Sequence, residues 1–225
     1  MDCSMASTAL LQHRGSVAVP QLRLSVGSYR IDRFLNGFFS SQLYHVVGSS
    51  MVVQAICAMV MVQTVQQFDG TIVFLDGGNA IDPYVIARCA RARRADADHV
   101  LSNIQVARAF TAYQLDTLIK QIPHYVTEYN PQLVIVNGIT DLLHDKDVTQ
   151  AEADRLLSQW LPRSKQQADM HNHVALVTTR RDTSFSHHLM WYADNSYSFD
   201  RQGDTIHVGI AGQQRYLQYQ PVPLY

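Results

Sequence analysis

Glutamate and lysine are nearly missing from this chain. Among 225 residues, Glu128 and Glu152 are the only glutamates, and Lys120, Lys146 and Lys165 the only lysines. Glu128 closes a helical segment before Asn130-Pro131, Glu152 falls in the first turn of another helix, Lys120 and Lys165 lie within helices, and Lys146 sits in an acidic loop. None stands on a strand-to-helix turn, which excludes the usual places of a phosphate-binding lysine and of a water-activating glutamate. Cysteine is scarce too. Cys3, Cys57 and Cys89 are an odd set without metal or redox spacing, and the latter two fall in apolar helical patterns as buried thiols, which fits a reducing compartment. A net charge of −1 gives no global mark of a nucleic-acid or membrane-surface protein. The longest apolar run, 51–62, is too short to span a bilayer and contains Gln54, so no membrane association is expected. Met1-Asp2-Cys3-Ser4 has no basic stretch leading into an apolar one, and no signal peptide is expected.

What is present is a regular alternation. Residues 22–24 read as a short strand, and an amphipathic helix follows Gly27-Ser28 through Ile31, Leu35 and Phe38. Buried strands are expected at 43–47, 72–75, 133–136 and 174–177, with a shorter one at 104–107. Between them lie helices at about 51–67, from Pro83 through Cys89, at 113–129, and after Thr149, which forms a capping box with Glu152. The stripe Ala153, Leu156, Leu157, Trp160, Leu161 has helical spacing. Tyr197, Phe199, a turn at Gln202-Gly203-Asp204, and Ile206, Val208, Ile210 then read as a hairpin. Aliphatic strands alternating with helices predict an α/β domain with a mostly parallel sheet covered on both faces, extended by the hairpin as antiparallel edge strands. Residues 1–21 read as an extension or linker, and 22–225 as one core domain.

The stretch from Leu43 to Ile56 runs strand, small-residue turn, apolar helix, the framework of a phosphate-binding P-loop. That loop requires G-x-x-x-x-G-K-[ST], whose backbone N–H groups wrap the phosphates. Here the turn is Gly48-Ser49-Ser50, too short, and Met51, Val52 and Val53 stand where Gly, Lys and Thr belong. The scaffold is that of a nucleotide hydrolase without its nucleotide chemistry.

Five segments in order carry a resemblance. Thr8 to Arg14 lie like a linker before a core. Gly27-Ser28-Tyr29-Arg30-Ile31-Asp32-Arg33-Phe34-Leu35-Asn36-Gly37 resembles G-S-x-x-L-D-x-L-L-x-G. Ile72 to Pro83 resembles I-D-T-E-G-x-F-x-P, Ile104 to Thr111 resembles N-V-x-x-A-R-A-F-N, and Leu133 to Asn137 looks like the Walker B strand L-L-I-V-D. Together they resemble the core of the RecA/RadA recombinase family, in its archaeal and eukaryotic branch and paralogues. The resemblance implies a RecA-like P-loop NTPase core, and it also names what is lost. The lysine and hydroxyl positions hold Val52 and Val53, the Walker B aspartate position holds Asn137, and the catalytic glutamate position falls on Gly78. A micromolar nucleotide site needs about 8 kcal/mol, to which charge-assisted phosphate contacts give roughly 1.5–3 kcal/mol each. The expectation is therefore no ATPase and no cofactor, with Gly48, Ser49, Ser50, Asp76 and Asn137 as a degenerate nucleotide site.

Other candidates each carry two readings. Asp76 is either a remnant ligand at the carboxyl edge of the sheet or a turn-capping carboxylate beside Gly77-Gly78. Gly48, Ser49 and Ser50 either offer N–H groups to an anion or form a plain strand–helix turn. Arg88, Arg91, Arg93 and Arg94 are either a phosphate or partner contact or a solvated helix end. Arg180 and Arg181, with His187 and His188, occupy the place of the family's second DNA-binding loop, and read as DNA backbone contacts or as a surface loop without ligand. His171-x-His173 and His187-His188 lack a Cys, Asp or Glu at useful helical spacing apart from Asp169, so no metal site is expected. Asp182, Ser184 and His187 lack the elbow of a hydrolase triad. The partner-docking motif of the family linker, an aromatic and an alanine three apart, is missing from Met5-Ala6-Ser7-Thr8. The expected role is a catalytically silent recombinase paralogue, an accessory or mediator subunit in recombination and DNA repair that binds a RecA-like partner and possibly DNA. It would work in the cytoplasm at the nucleoid, or in a nucleus. The alternatives are a degenerate P-loop protein still binding nucleotide, and a regulatory scaffold of the same fold outside recombination.

Overall fold

The computed structural model describes residues 21–180, 184–213 and 215–220. In chain order the elements are β1 (Arg23–Leu24), α1 (Tyr29–Leu35), β2 (Phe38–Phe39), β3 (Gln42–Gly48), α2 (Ser50–Phe68), β4 (Ile72–Asp76), α3 (Pro83–Ala92), α4 (Ala97–Ser102) and β5 (Ile104–Arg108). They continue with α5 (Ala112–Lys120), α6 (Ile122–Tyr129), β6 (Leu133–Asn137), α7 (Gln150–His171), β7 (Val174–Thr179), α8 (Ser186–Tyr192), β8 (Asn195–Gln202), β9 (Thr205–Ile210) and β10 (Tyr216–Tyr219). Eight strands form one sheet in the order β10-β9-β8-β3-β7-β6-β4-β5, and β1 pairs separately with β2. From β8 to β5 every pairing is parallel, because each strand is followed by a helical crossover.

Side chains alternate between two cores. Tyr44, Val46, Phe74, Ile135 and Leu176 point to one face, under α1 to α4. Leu43, Val73, Leu75, Val136 and Val177 point to the other, under α5 to α8. Burial on both faces explains why these strands read as continuous aliphatic runs. The helix α2 is predominantly apolar and, at 19 residues, long enough to cross a membrane by length and composition alone. It is a core helix instead: Ile56, Val60, Met61 and Val62 are buried against the sheet and neighbouring helices. Each such side chain contributes about 1.5–3 kcal/mol of burial.

The predicted pattern is corrected in four places. The first helix stops at Leu35, where Asn36 (φ 65°) and Gly37 (φ 77°) turn left-handed and send Phe38 into β2. The helix expected at 113–129 is two helices meeting at Gln121, because Pro123 cannot supply the N–H a continuous helix needs. Two short helices, α4 and α8, and the edge strand β10 were not expected. The hairpin forms as expected, β8 antiparallel to β9, but β8 itself joins β3 in parallel, since α8 is a crossover that returns the chain in its original direction.

Candidate functional site

All the parallel strands end at the same edge, so Gly48, Asp76, Asn137 and Thr179 stand side by side. There a P-loop would cradle phosphate. Instead a single residue, Ser49, joins β3 to α2, and its side chain caps nothing. Gly48 has a reason unconnected with ligand: a methyl there would fall 2.2 Å from the carbonyl oxygen of Phe199 in the neighbouring β8. Val52 and Val53 are buried in the core.

Asp76 is fully buried and its carboxylate is occupied. Asn137 donates its side-chain N–H to Oδ1 at 3.0 Å, Arg108 donates Nε–H to Oδ2 at 3.2 Å, and the Ala80 N–H lies 3.1 and 3.2 Å from the two oxygens. The Ile81 N–H adds a longer contact at 3.3 Å. Asp76 thus holds the turn after β4 and neutralises Arg108 on β5, directly across the ladder. Asn137 is occupied as well, its Oδ1 accepting the Thr178 hydroxyl at 2.8 Å. Thr178 in turn accepts from the Gly138 N–H at 2.9 Å. Both strand-end polar groups face each other rather than solvent.

The turns after β4 and β6 nest together. A Cβ on Gly78 would meet Asn137 and Asp141 at 3.0 Å, and one on Gly138 (φ 63°) would meet the Gly78 Cα at 2.6 Å. A glutamate at position 78 would therefore press on the Asn137 and Asp141 side chains, which would have to give by a few tenths of an ångström. What remains is a cleft of about 130 Å³ lined by Ser50, Gln54, Asn79, Asn137, Asp141 and Arg180. That volume is below the range of about 300–1,000 Å³ usual for pockets that take drug-sized ligands.

The basic candidates separate. Arg180 is fixed over the cleft by Asp141, donating from Nε at 3.0 Å and Nη2 at 2.8 Å, and this ion pair holds the guanidinium's pKa above its ordinary value. Arg181 and Asp182 lie outside the described residues, as do Met5-Ala6-Ser7-Thr8. Arg88, Arg91 and Arg94 are exposed on and beyond α3, whereas Arg93 folds back to donate to the Gly27 carbonyl at 2.8 Å. The His188 Nε2 meets Asp154 of α7 at 3.0 Å, with the His187 ring packed beside it. His171 and His173 diverge, since His173 is buried, with neither ring nitrogen bonded to protein, and His171 is exposed.

Several site residues escaped the sequence reading. Arg108 was legible in principle, because a buried acid at one strand end calls for a counter-charge at the matching position of the next strand. Thr178, Asp141 and Asp154 reach their partners through tertiary contact and gave no local signal. Buried His45, bridging Ser196 Oγ at 2.7 Å and Thr179 Oγ1 at 2.8 Å, gave none either.

A mostly parallel sheet between two helical layers, with strand ends converging where a P-loop would sit and antiparallel strands closing one side, is a RecA-like core. A family model described as Rad51 matches residues 19–196. The chain belongs to the Rad51 family and is a recombinase-related protein. The matched region ends at the second residue of β8, so β9 and β10 lie beyond it.

Proposed function

We propose that this protein is a non-catalytic Rad51-family subunit that acts in recombination by binding a RecA-like partner. The observation that carries the reading is the closed carboxyl edge: Ser49 alone spans β3 to α2, and Asp76 and Asn137 bond to each other. Among the described residues at this edge, none is left to bind phosphate through a loop, hold Mg²⁺ or activate water. Members of this family typically act in recombinase assemblies and bind DNA, so a silent member contributes through contact.

The sheet offers a surface for that contact. β5 is the last strand of the sheet and pairs only with β4 among the described residues. Beside it lies an apolar groove lined by Val73, Leu75, Val106, Ala107, Tyr125 and Tyr129, with exposed Phe110 and Tyr113 close by in sequence. An extended segment of the partner would add a strand to this edge and seat side chains in the groove. DNA contact within the assembly would involve Arg88, Arg91 and Arg94, since Arg180 is neutralised by Asp141.

The test is recovery of the tagged protein from its own cells, with and without nuclease, beside a Val106→Arg variant. Nuclease-resistant recovery of a RecA-like recombinase, lost in the variant, is the expected result. Recovery of no recombination protein would overturn the reading. A nucleotide-binding role would show instead as thermal stabilisation by Mg-ATP.

A further inference from the structure

We propose that Asp154, His187 and His188 form a binding site for one zinc-type divalent cation. Asp154 projects from the second turn of α7, and the two histidines open α8. The His188 Nε2 lies 3.0 Å from Asp154 Oδ1, and the two imidazole centroids are 4.0 Å apart. One ligand atom from each of the three residues lies within 4.8 Å of the others. Tetrahedral zinc with ligands at about 2.0–2.2 Å holds its donor atoms roughly 3.3–3.5 Å apart. The triangle therefore needs closure of about an ångström or a little more, within the reach of a χ rotation of the exposed His187.

The donor set selects the ion. Two imidazoles and one carboxylate suit zinc, cobalt or nickel, whereas calcium and magnesium require oxygen ligands. Asp154 also accepts from Gln150 Nε2 at 3.2 Å, the kind of outer contact that orients a ligating carboxylate. A simple ion pair would need only one histidine, yet two converge on the same carboxylate. Three protein ligands leave a fourth position for water. Cys57 and Cys89 are buried in the opposite core and cannot compete for the ion. The bound cation would tie the start of α8 to α7.

The test uses the full chain, purified without a histidine tag and stripped with EDTA. It is titrated with ZnCl₂ by calorimetry and with Co²⁺ by visible absorption. One saturable equivalent of zinc is expected, with a four-coordinate cobalt spectrum free of thiolate charge transfer. Asp154→Asn, His187→Ala and His188→Ala should each weaken binding by at least about tenfold. His171→Ala, a surface imidazole elsewhere, should leave it unchanged. Zinc should also raise the thermal midpoint of the parent chain but not of His187→Ala, an exposed position whose loss does not threaten the fold. Absence of saturable zinc binding, binding indifferent to all three substitutions, or displacement by millimolar Mg²⁺ would each overturn the proposal.

Discussion

Asn137 donates its side-chain N–H to Asp76 Oδ1 across 3.0 Å, and both side chains are buried where two neighbouring parallel strands end. This contact links the Walker B position, where the resemblance expects an aspartate for Mg²⁺, to the carboxylate that closes the neighbouring strand. An amide there satisfies the carboxylate; a second carboxylate would confront it. The loss of charge at 137 is therefore part of what lets this edge close, with Arg108 as the only counter-charge Asp76 has among the described residues.

Asn137→Asp should accordingly destabilise the protein instead of restoring a metal site. The Thr178 hydroxyl can donate to either side chain, so the cost falls on the contact with Asp76. An uncompensated buried charge costs about 3 kcal/mol at neutral pH. Two carboxylates at this distance repel, and acid relieves the repulsion by protonating one of them. The deficit should be smaller in acid than at neutral pH. Urea titrations of both proteins at several pH values measure it, and a variant as stable as the parent at pH 7 would refute the account.

Restoring the P-loop letters should not restore nucleotide binding. A Val52→Lys, Val53→Thr double variant still has one residue between β3 and α2, and both valines point into the core. A site with a dissociation constant of 10 μM would gain about 2.7 kcal/mol at 1 mM ATP, raising the midpoint of a chain this size by roughly 5–10 °C. Neither the parent nor the double variant should show such a rise with Mg-ATP. The double variant should itself melt lower, because it buries an ammonium and a hydroxyl.

Gly48 and Ser49 should respond very differently to substitution by alanine. Gly48→Ala places a methyl 2.2 Å from the Phe199 oxygen and should cost about 3 kcal/mol or more. Ser49 stands at a helix N-cap, where truncation to alanine normally costs about 1 kcal/mol. Its hydroxyl makes no cap bond here, so Ser49→Ala should be close to neutral. Thermal melts of the two variants decide whether this turn is built for the sheet or for a ligand.

The alternation of strands and helices was readable because strands buried on both faces cannot hide among polar residues, and Val134, Ile135 and Val136 admit little else. The elements that escaped are those whose cause is tertiary. The six residues of α4 are nucleated by Asp96, which accepts from Asp98 N–H at 3.0 Å, an acid otherwise readable as a counter-charge for nearby arginines. β10 exists through its pairing with β9. At the site, sequence shows which charges are missing but not how survivors are spent. Asp76 meets Asn137 61 residues away, and Asp154 meets His188 34 residues away, across spacings that no local pattern encodes.

Two buried histidines should make the protein sensitive to acid. Burial lowers the pKa of His45 from the ordinary 6.5 to about 4, and burial with the nearby charge of His171 does the same to His173. The unfolded chain takes up these protons near pH 6.5 and the folded chain near pH 4. Stability is therefore complete above 6.5 and is lost as the pH falls between those values, by about 3 kcal/mol for each histidine. The two differ in what removal does at neutral pH. His173 has no protein partner for either ring nitrogen, so His173→Phe should be neutral or stabilising at pH 7 while removing its share of the acid loss. His45→Phe would strand the hydroxyls of Ser196 and Thr179 and should cost about 1–3 kcal/mol at pH 7, though it too flattens the acid limb. Denaturant midpoints of the parent and both variants from pH 4 to 8 separate the effects: parallel pH curves would refute the assignment, and convergence of His45→Phe with the parent toward pH 4 would support it.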